Sequence, residues 1–285
     1  MWCRSRRLNR KPIAPVSRMS KPRIAVLIPS YNAEHTIAKA LKSLAANVEP
    51  HDIIIVDDGS RKLLQDCIST QKNMTILRLE KNTGITRALN HGLSYVLDQG
   101  YEFVARLDAD DAASPDRLAL QRSFMDAHSG VALLGGCGEV VSEQGKILFH
   151  LNHPTDHKAI TNALYYNSCF LHPTFMIRTT ALRETGLYSE NYPGAEDYEL
   201  ARRLAQRSQV SNLPQYLVAY TWSPGGISLS KRRKQLHSRL KVQWAYRNFG
   251  SIHFYLGILK TGILSLLPVS LITAIKQRRQ DYQKQ

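Results

Sequence analysis

The chain has 285 residues, of which 43% are hydrophobic, 21% charged and 8% aromatic. These values fit one large or two small globular domains and exclude a disordered, collagen-like or multispanning membrane chain. The 38 Lys and Arg against 23 Asp and Glu give a net charge of +15, which calls for an anionic partner such as nucleic acid, phosphate or a membrane surface.

The first 22 residues are Arg-rich, contain Pro12 and Pro15, and lack the apolar core of a signal peptide. They read as a basic disordered arm, and Met19, just before the first strand-like run, is an alternative start. Cys3, Cys67, Cys137 and Cys169 are too widely spaced for a metal site or a disulfide framework, which fits a reducing cytosol. Ile24 to Ile28 is a continuous apolar run, as in a strand buried on both faces. The turn Pro29-Ser30-Tyr31-Asn32 follows, with Asn32 placed to cap a helix. Ile37, Ala38, Leu41, Leu44 and Ala45 share one helical face. Further strands are expected at Ile53 to Val56, Thr75 to Leu79 and Tyr101 to Leu107, with a helix from about Ile85 to Leu97. Ser114 and Pro115 look like the cap and first residue of another helix. This alternation predicts an α/β fold with a mostly parallel sheet. The second half is less regular, with a strand near Leu213 to Tyr220.

Ligands of such sheets bind at the carboxyl ends of the strands, and the polar clusters fall there. The glycine fingerprint of dinucleotide enzymes and the Lys-bearing phosphate loop are both absent. Asp108-Ala109-Asp110-Asp111 places three carboxylates within four positions, where they repel one another unless a cation or water relieves them. A hard divalent cation bridging to a diphosphate suits that pattern; a solvated acidic turn is the alternative. Asp57-Asp58-Gly59-Ser60 closes an earlier strand and is either part of the same site or an ordinary Asp-Gly turn. Glu196-Asp197 opens a helix, as general base or as favourable charge at a helix N-terminus.

Five segments now stand in order: Val26 to Asn32, Ile55 to Ser60, Asn82-Thr83-Gly84 through Ala88 to Gly92, Ala105 to Asp111, and Ala195 to Tyr198. In these the chain resembles the glycosyltransferase family 2 enzymes of GT-A fold, over about residues 22–225. It looks most like the bacterial members that build surface polysaccharide or lipopolysaccharide. The resemblance implies a single Rossmann-like sheet flanked by helices. It also implies an inverting, metal-dependent transfer of a hexose from a nucleotide-sugar donor, UDP-linked by family precedent, to a saccharide acceptor, and a membrane location of the chain would suit a lipid-linked one. Pro29, Tyr31 and Asp58 would line the nucleotide pocket, supported by Asp57. Arg87 would reach base or phosphates, or be plain surface charge. Asp108 would face the ribose or donor sugar, Asp110 would bind Mg²⁺ or Mn²⁺ with Asp111 assisting, and Asp197 would be the base. His172, in His172-Pro173-Thr174, would touch diphosphate or acceptor, or be a buried structural histidine, and Glu196 would contribute on the same side. The subgroup's Arg after the last strand is replaced by Thr221. Trp222 beside it would stack on a sugar or pack in the core. A polyprenyl-phosphate glycosyl synthase shares this pattern.

Charge by segment decides among the anionic partners. Residues 1–23 carry eight basic side chains and no acidic one, residues 231–285 carry twelve against one, and the stretch between is net −4. A nucleic-acid-binding domain carries its positive patch on the folded body, so no nucleic acid is expected as partner. After residue 230, Leu236, Leu240 and Trp244 form a stripe among Arg239, Lys241 and Arg247, a basic amphipathic pattern suited to an anionic bilayer; packing on the catalytic body is the alternative. Ile252 to Ile275 carries one charge, Lys260, and its uncharged run of 15 residues contains Pro268. A single span needs about 20 apolar residues, so interfacial helices are favoured over a span. The expected organisation is a basic arm (1–22), a GT-A domain (23–230) and a membrane-associating helical tail (231–285). The expected location is the cytoplasmic face of the bacterial inner membrane, peripheral or monotopic.

Overall fold

The computed structural model describes residues 23–69, 71–222 and 232–266. The basic arm with Met19, and the segment with Pro268, lie outside the described residues. Strand β1 (Ile24–Ser30) runs through the centre of the first half of a single sheet. It pairs in parallel with β2 (His51–Asp57) on one side and β4 (Phe103–Arg106) on the other, and β3 (Met74–Arg78) lies parallel to β2. Ile24 to Ile28 and Ile53 to Val56 are almost wholly buried, because helices cover both faces of these strands. Helix α1 (Ile37–Ala45) buries Ile37, Ala40, Leu41 and Leu44. On the opposite face α2 (Ile85–Asp98) buries Ala88, Leu89, Leu93 and Val96.

Beyond β4 the sheet becomes mixed. The order is β3-β2-β1-β4-β8-β6-β9-β5, with β7 (Ile147–Leu151) paired to β6 (Val131–Val141). The short β8 (Met176–Arg178) is antiparallel to both β4 and β6, and the long β9 (Gln209–Thr221) is parallel to β6. Most paired positions are nonetheless parallel. Strand β5 (Ala112–Ala113) is antiparallel to the end of β9, and this pairing carries the acidic turn to the terminus of β9. Helices α3 (Arg117–Ala127), α4 (His157–Ala163), α5 (Thr179–Thr185) and α6 (Glu196–Ala205) complete the layers.

Two local expectations change. Asn32 does not cap α1, which begins after Thr36. It adopts a left-handed conformation (φ 50), open to Asn at small cost, and bridges to the next strand's turn: Ser60 Oγ accepts from Asn32 N (2.8 Å), and Asn32 Oδ1 from Arg61 N (3.0 Å). Ser114 does not cap α3, because its amide still donates to Leu217 O at the sheet edge (2.9 Å). The helix starts at Arg117.

Helices α7 (Arg232–Ala245) and α8 (Ile252–Leu266) follow β9 in the described chain. Leu236 and Val242 of α7 are buried. Ser238 Oγ donates to Pro193 O (2.9 Å) and Gln243 Nε2 to Tyr165 O (2.7 Å). The stripe Leu236, Leu240, Trp244 is therefore not one free face: Leu236 packs on the body while Trp244 is 57% exposed. Among the described residues, no helix is long and apolar enough to cross a membrane.

Candidate active site

The carboxyl ends of β1, β2 and β4 open into a cleft of about 970 Å³, closed on its far side by residues 190–196 and the first turn of α7. Pro29, Tyr31, Asp58, Asp108, Asp110 and Glu196 all line it, so the sheet gathers segments far apart in sequence.

Asp57 and Asp58 do different work. Asp57 is buried behind the cleft, ion-paired to Arg78, and accepts from Ser60 N (3.0 Å). It does not line the cleft among the described residues; it fixes the turn that does. Asp58 Oδ1 accepts from Thr83 N (2.7 Å) and Thr83 Oγ1 (2.9 Å), and its Oδ2 from Gly84 N (2.9 Å). A carboxylate has about four acceptor sites, so Asp58 anchors the Asn82–Gly84 loop and keeps capacity for a ligand donor. Gly59 is required between them: its φ is +70, and a Cβ there would stand 2.5 Å from the Lys81 carbonyl carbon. Arg87 lines the cleft paired to Glu190 (2.8 Å), but both are more than half exposed. Such a pair is weak, so the guanidinium is available to an anion.

The acidic turn is held from two sides. Arg106, at the end of β4 and buried, donates through Nη2 to Asp108. Thr221, at the end of β9, donates its amide to Asp111 Oδ1 (2.8 Å) and its hydroxyl to Asp110 O (2.6 Å), and Lys39 Nζ donates to Thr221 Oγ1 (2.9 Å). Thr221 thus ties the strand end to the turn, and Lys39 brings a cation there. Carboxylate oxygens of Asp108, Asp110 and Asp111 lie within 4.8 Å of one another. Burial, then the neighbouring carboxylates, push the Asp111 carboxyl well above its usual range, and Asp110 is raised for the same reasons. Asp111 Oδ2 is buried with no partner among the described residues. Clustered carboxylates with an orphaned oxygen fit the hard, oxygen-ligated chemistry of a divalent cation.

Across the cleft, α6 opens with Glu196 and Asp197. Glu196 is buried and accepts from Gly194 N (2.7 Å). Asp197 lies one residue behind the lining, half-buried. Burial and the adjacent Glu196 carboxylate push its pKa up to about 6, while Arg106 opposes the rise. His172 is not in the lining. Its Nε2 is bonded to Tyr188 Oη at 2.7 Å and its ring packs edge-on to Phe175, and burial holds it well below the usual histidine range. It is a neutral, packed histidine. Trp222 is 43% exposed after β9 and outside the lining; Ser223 to Lys231 lie outside the described residues.

Four residues of the site escape sequence reasoning. Arg106 stands inside a quoted motif, but nothing in the sequence says that it points inward. Tyr188 has no motif of its own, though Asn90 brackets its backbone with two hydrogen bonds of 2.9 Å. Lys234, in the basic run that opens the stretch after residue 230, has no motif of its own yet lines the cleft. Arg239, grouped with the same stripe, lies within electrostatic reach of Tyr198 and Asp197.

A model of the family described as Glycosyl transferase family 2 matches residues 25–186. An uncharacterized glycosyltransferase of Haemophilus influenzae is 25% identical over 265 residues, spanning 88% of this chain and 80% of its own. The amylovoran biosynthesis glycosyltransferase AmsE of Erwinia amylovora is 28% identical over 267 residues, 89% of this chain and 98% of its own. S. aureus TarS 1–349 in complex with UDP-GlcNAc superposes with a TM-score of 0.62 at 20% identity, covering 84% of this chain and 72% of that one. The mannosyltransferase PcManGT of Pyrobaculum calidifontis, in complex with GDP-Man and Mn²⁺, gives 0.62 at 17% identity, covering 88% and 72%. At those identities the superpositions show a shared fold.

Proposed function

Because the chain belongs to glycosyl transferase family 2, we propose that it moves a hexose, with inversion, from a nucleotide-sugar donor to a saccharide acceptor in surface polysaccharide or lipopolysaccharide assembly. One observation carries this reading. A single cleft is lined by Asp108 and Asp110, which cluster with the buried Asp111, and by Glu196, with the raised Asp197 next to it in the chain. The bound UDP-GlcNAc and GDP-Man of the two fold neighbours support a nucleotide-sugar donor. The Erwinia relative, named for amylovoran biosynthesis, supports a biosynthetic transfer.

The nucleotide would lie over Pro29 and Tyr31 against Asp58 and the Asn82–Gly84 loop. Asp108, Asp110 and Asp111 would hold Mg²⁺ or Mn²⁺, which supplies neutralisation of the departing diphosphate. Lys39 and Arg87 add positive charge on the same side. Asp197 takes the proton of the acceptor hydroxyl as that oxygen bonds to the sugar C1 and the C1–phosphate bond breaks. With a pKa of about 6, Asp197 is ionised at neutral pH and still basic enough to accept that proton. The test is thermal stabilisation by UDP, GDP and CDP, each with and without Mn²⁺, UDP being the first choice. One nucleotide should stabilise strongly and only with metal. If none does, with either Mn²⁺ or Mg²⁺, the reading is wrong.

We also propose that the protein works against an anionic membrane, at the cytoplasmic face of the bacterial inner membrane. The support is the outer face of α8. Ile252, Tyr255, Leu259, Ile263 and Leu266 are 49–85% exposed there, and the sequence beyond carries Lys276, Arg278 and Arg279. Leu259→Asp with Ile263→Asp should release the protein from anionic vesicles, and unchanged co-sedimentation would remove the claim.

A further inference from the structure

Arg87 and Glu190 reach each other from different walls of the cleft. Arg87 stands in the first turn of α2, directly after the Asn82–Gly84 loop that Asp58 anchors. Glu190 stands in the loop before α6, 103 residues further along the chain. Arg87 Nε donates to Glu190 Oε2 at 2.8 Å, and both residues line the cleft. Among the described residues neither side chain has another ion-pair or hydrogen-bond partner.

The fold, not the ion pair, arranges this meeting. Three positions after Arg87, Asn90 Nδ2 donates to Tyr188 O and Asn90 Oδ1 accepts from Tyr188 N, both at 2.9 Å. Positions i and i+3 of a helix are neighbours, so these bonds pin the start of the Glu190 loop to the side of α2 that carries Arg87. The far end of the loop is pinned by Ser238 Oγ, which donates to Pro193 O at 2.9 Å. Glu190 thus stands beside Arg87 on a backbone held at both ends. The pair itself is weak, because both side chains are more than half exposed. A weak pair on a fixed frame opens easily and closes again in the same place. A guanidinium is a planar fork of donors that takes a carboxylate or a phosphate in the same way. Glu190 therefore offers Arg87 what a phosphoryl group would offer. It has no part in the other acidic features, since the cation cluster is Asp108, Asp110 and Asp111 and the acidic start of α6 is Glu196 with Asp197.

We propose that Glu190 is an internal competitor for the diphosphate of the nucleotide. It holds Arg87 before the nucleotide binds, yields it to the phosphates, and takes it back as the spent nucleotide leaves. Glu190 thereby lowers nucleotide affinity and speeds release without touching the reacting atoms. This rests on the transferase reading and adds to it a residue that tunes the donor site. No covalent step is involved.

The test is a double-mutant cycle on the full chain, read as the Kd and release rate of UDP with Mn²⁺, or of GDP or CDP if that is the nucleotide bound. Glu190→Gln keeps the size of the side chain and removes its charge. It should tighten UDP about threefold, the scale of an exposed ion pair, and slow its release by a similar factor. Arg87→Ala should weaken UDP about fivefold, as loss of a charged contact to phosphate would. In the Arg87→Ala background Glu190→Gln should then change nothing, because the two residues act as one. Uridine, which has no phosphate, should bind alike in the wild type and Glu190→Gln. Glu143→Gln makes the same charge change at an exposed position outside the cleft lining and should leave UDP affinity as it is. An unchanged or weakened UDP affinity in Glu190→Gln overturns the proposal, since the pair would then be inert or a brace of the cleft. So does a gain that persists without Arg87, or that uridine or Glu143→Gln reproduces. A wild type that binds no nucleotide is a different result, which strikes the transferase reading and takes this proposal with it.

Discussion

The turn after β4 and the first turn of α6 are both acidic and both face one cleft, but their partners differ. In the turn, three carboxylates crowd within 4.8 Å, and among the described residues Arg106 hydrogen-bonds Asp108 and the Thr221 amide Asp111, which leaves charge for a cation or protons to relieve. At α6 the two carboxylates are consecutive on a helix N-terminus, where the backbone favours negative charge. Glu196 is further satisfied by the Gly194 amide. Burial and the adjacent Glu196 carboxylate push the pKa of Asp197 up to about 6. Clustering with an orphaned oxygen therefore suits the proposed cation, while the raised carboxyl beside Glu196 suits the proposed base. Two acidic motifs that look alike in sequence separate once their partners are known.

The sharpest way to break this contrast is Asp197→Asn. A positioned general base contributes 10²–10⁴-fold, so transfer should fall by about 10³-fold while Mn²⁺-nucleotide stabilisation stays as in the wild type. Near-normal turnover would take the base role from Asp197. Asp110→Asn should do the reverse. Metal-dependent nucleotide stabilisation should vanish, and transfer should fall by about 10²-fold through lost diphosphate neutralisation. Retention of the metal effect would show that the cluster is only a solvated turn.

The pH dependence sharpens the same comparison with a smaller effect. The raised Asp197 holds a proton below about pH 6 and loses it above, so kcat should climb through an acid limb near that value and then level. Stability runs the other way. A carboxyl whose folded pKa exceeds its unfolded value stabilises the fold below the unfolded value, near 4, and that contribution is lost as pH rises through about 6. Glu196→Gln removes the largest charge raising Asp197 and should move the limb to lower pH. A limb that stays in place in Glu196→Gln would mean that another group sets it.

Much of this arrangement was legible in the sequence, for identifiable reasons. The runs Ile24 to Ile28 and Ile53 to Val56 announce themselves because strands buried on both faces need unbroken apolar residues. The polar clusters at their ends mark the cleft by the same topology. Strand β6 was not legible, because Gly135, Gly136 and Gly138 interrupt it. They are there because Asn212, Leu217 and Leu171 side chains press on the strand, within 2.3–2.4 Å of where a Cβ would stand, and only tertiary structure shows that. Helix α7 was legible as basic and amphipathic, but not which side meets the body, since its buried side includes Ser238 and Gln243 as well as Leu236 and Val242. Asp57 and Asp58 were legible as a pair, but their division of labour depends on Arg78 and Thr83, 21 and 25 residues away.

The His172–Tyr188 pair offers the mildest test, because it lies behind both acidic groups and touches neither by a hydrogen bond. His172 is neutral, held so by burial and by the Arg106 charge, and the Tyr188 hydroxyl is likewise kept protonated by burial. No charge is exchanged between them, so Tyr188→Phe removes one neutral hydrogen bond and leaves the His172 Nε2 unpaired. That costs about 1–3 kcal/mol when the group is buried, and thermal melting should show a drop of that order. The acid limb near pH 6 should not move, and kcat should fall by less than about tenfold. A shift of the limb in Tyr188→Phe would mean that the pair does not merely pack behind Asp197 but tunes its charge, and the contrast between the two acidic groups would then need Tyr188 and His172 on the side of the base.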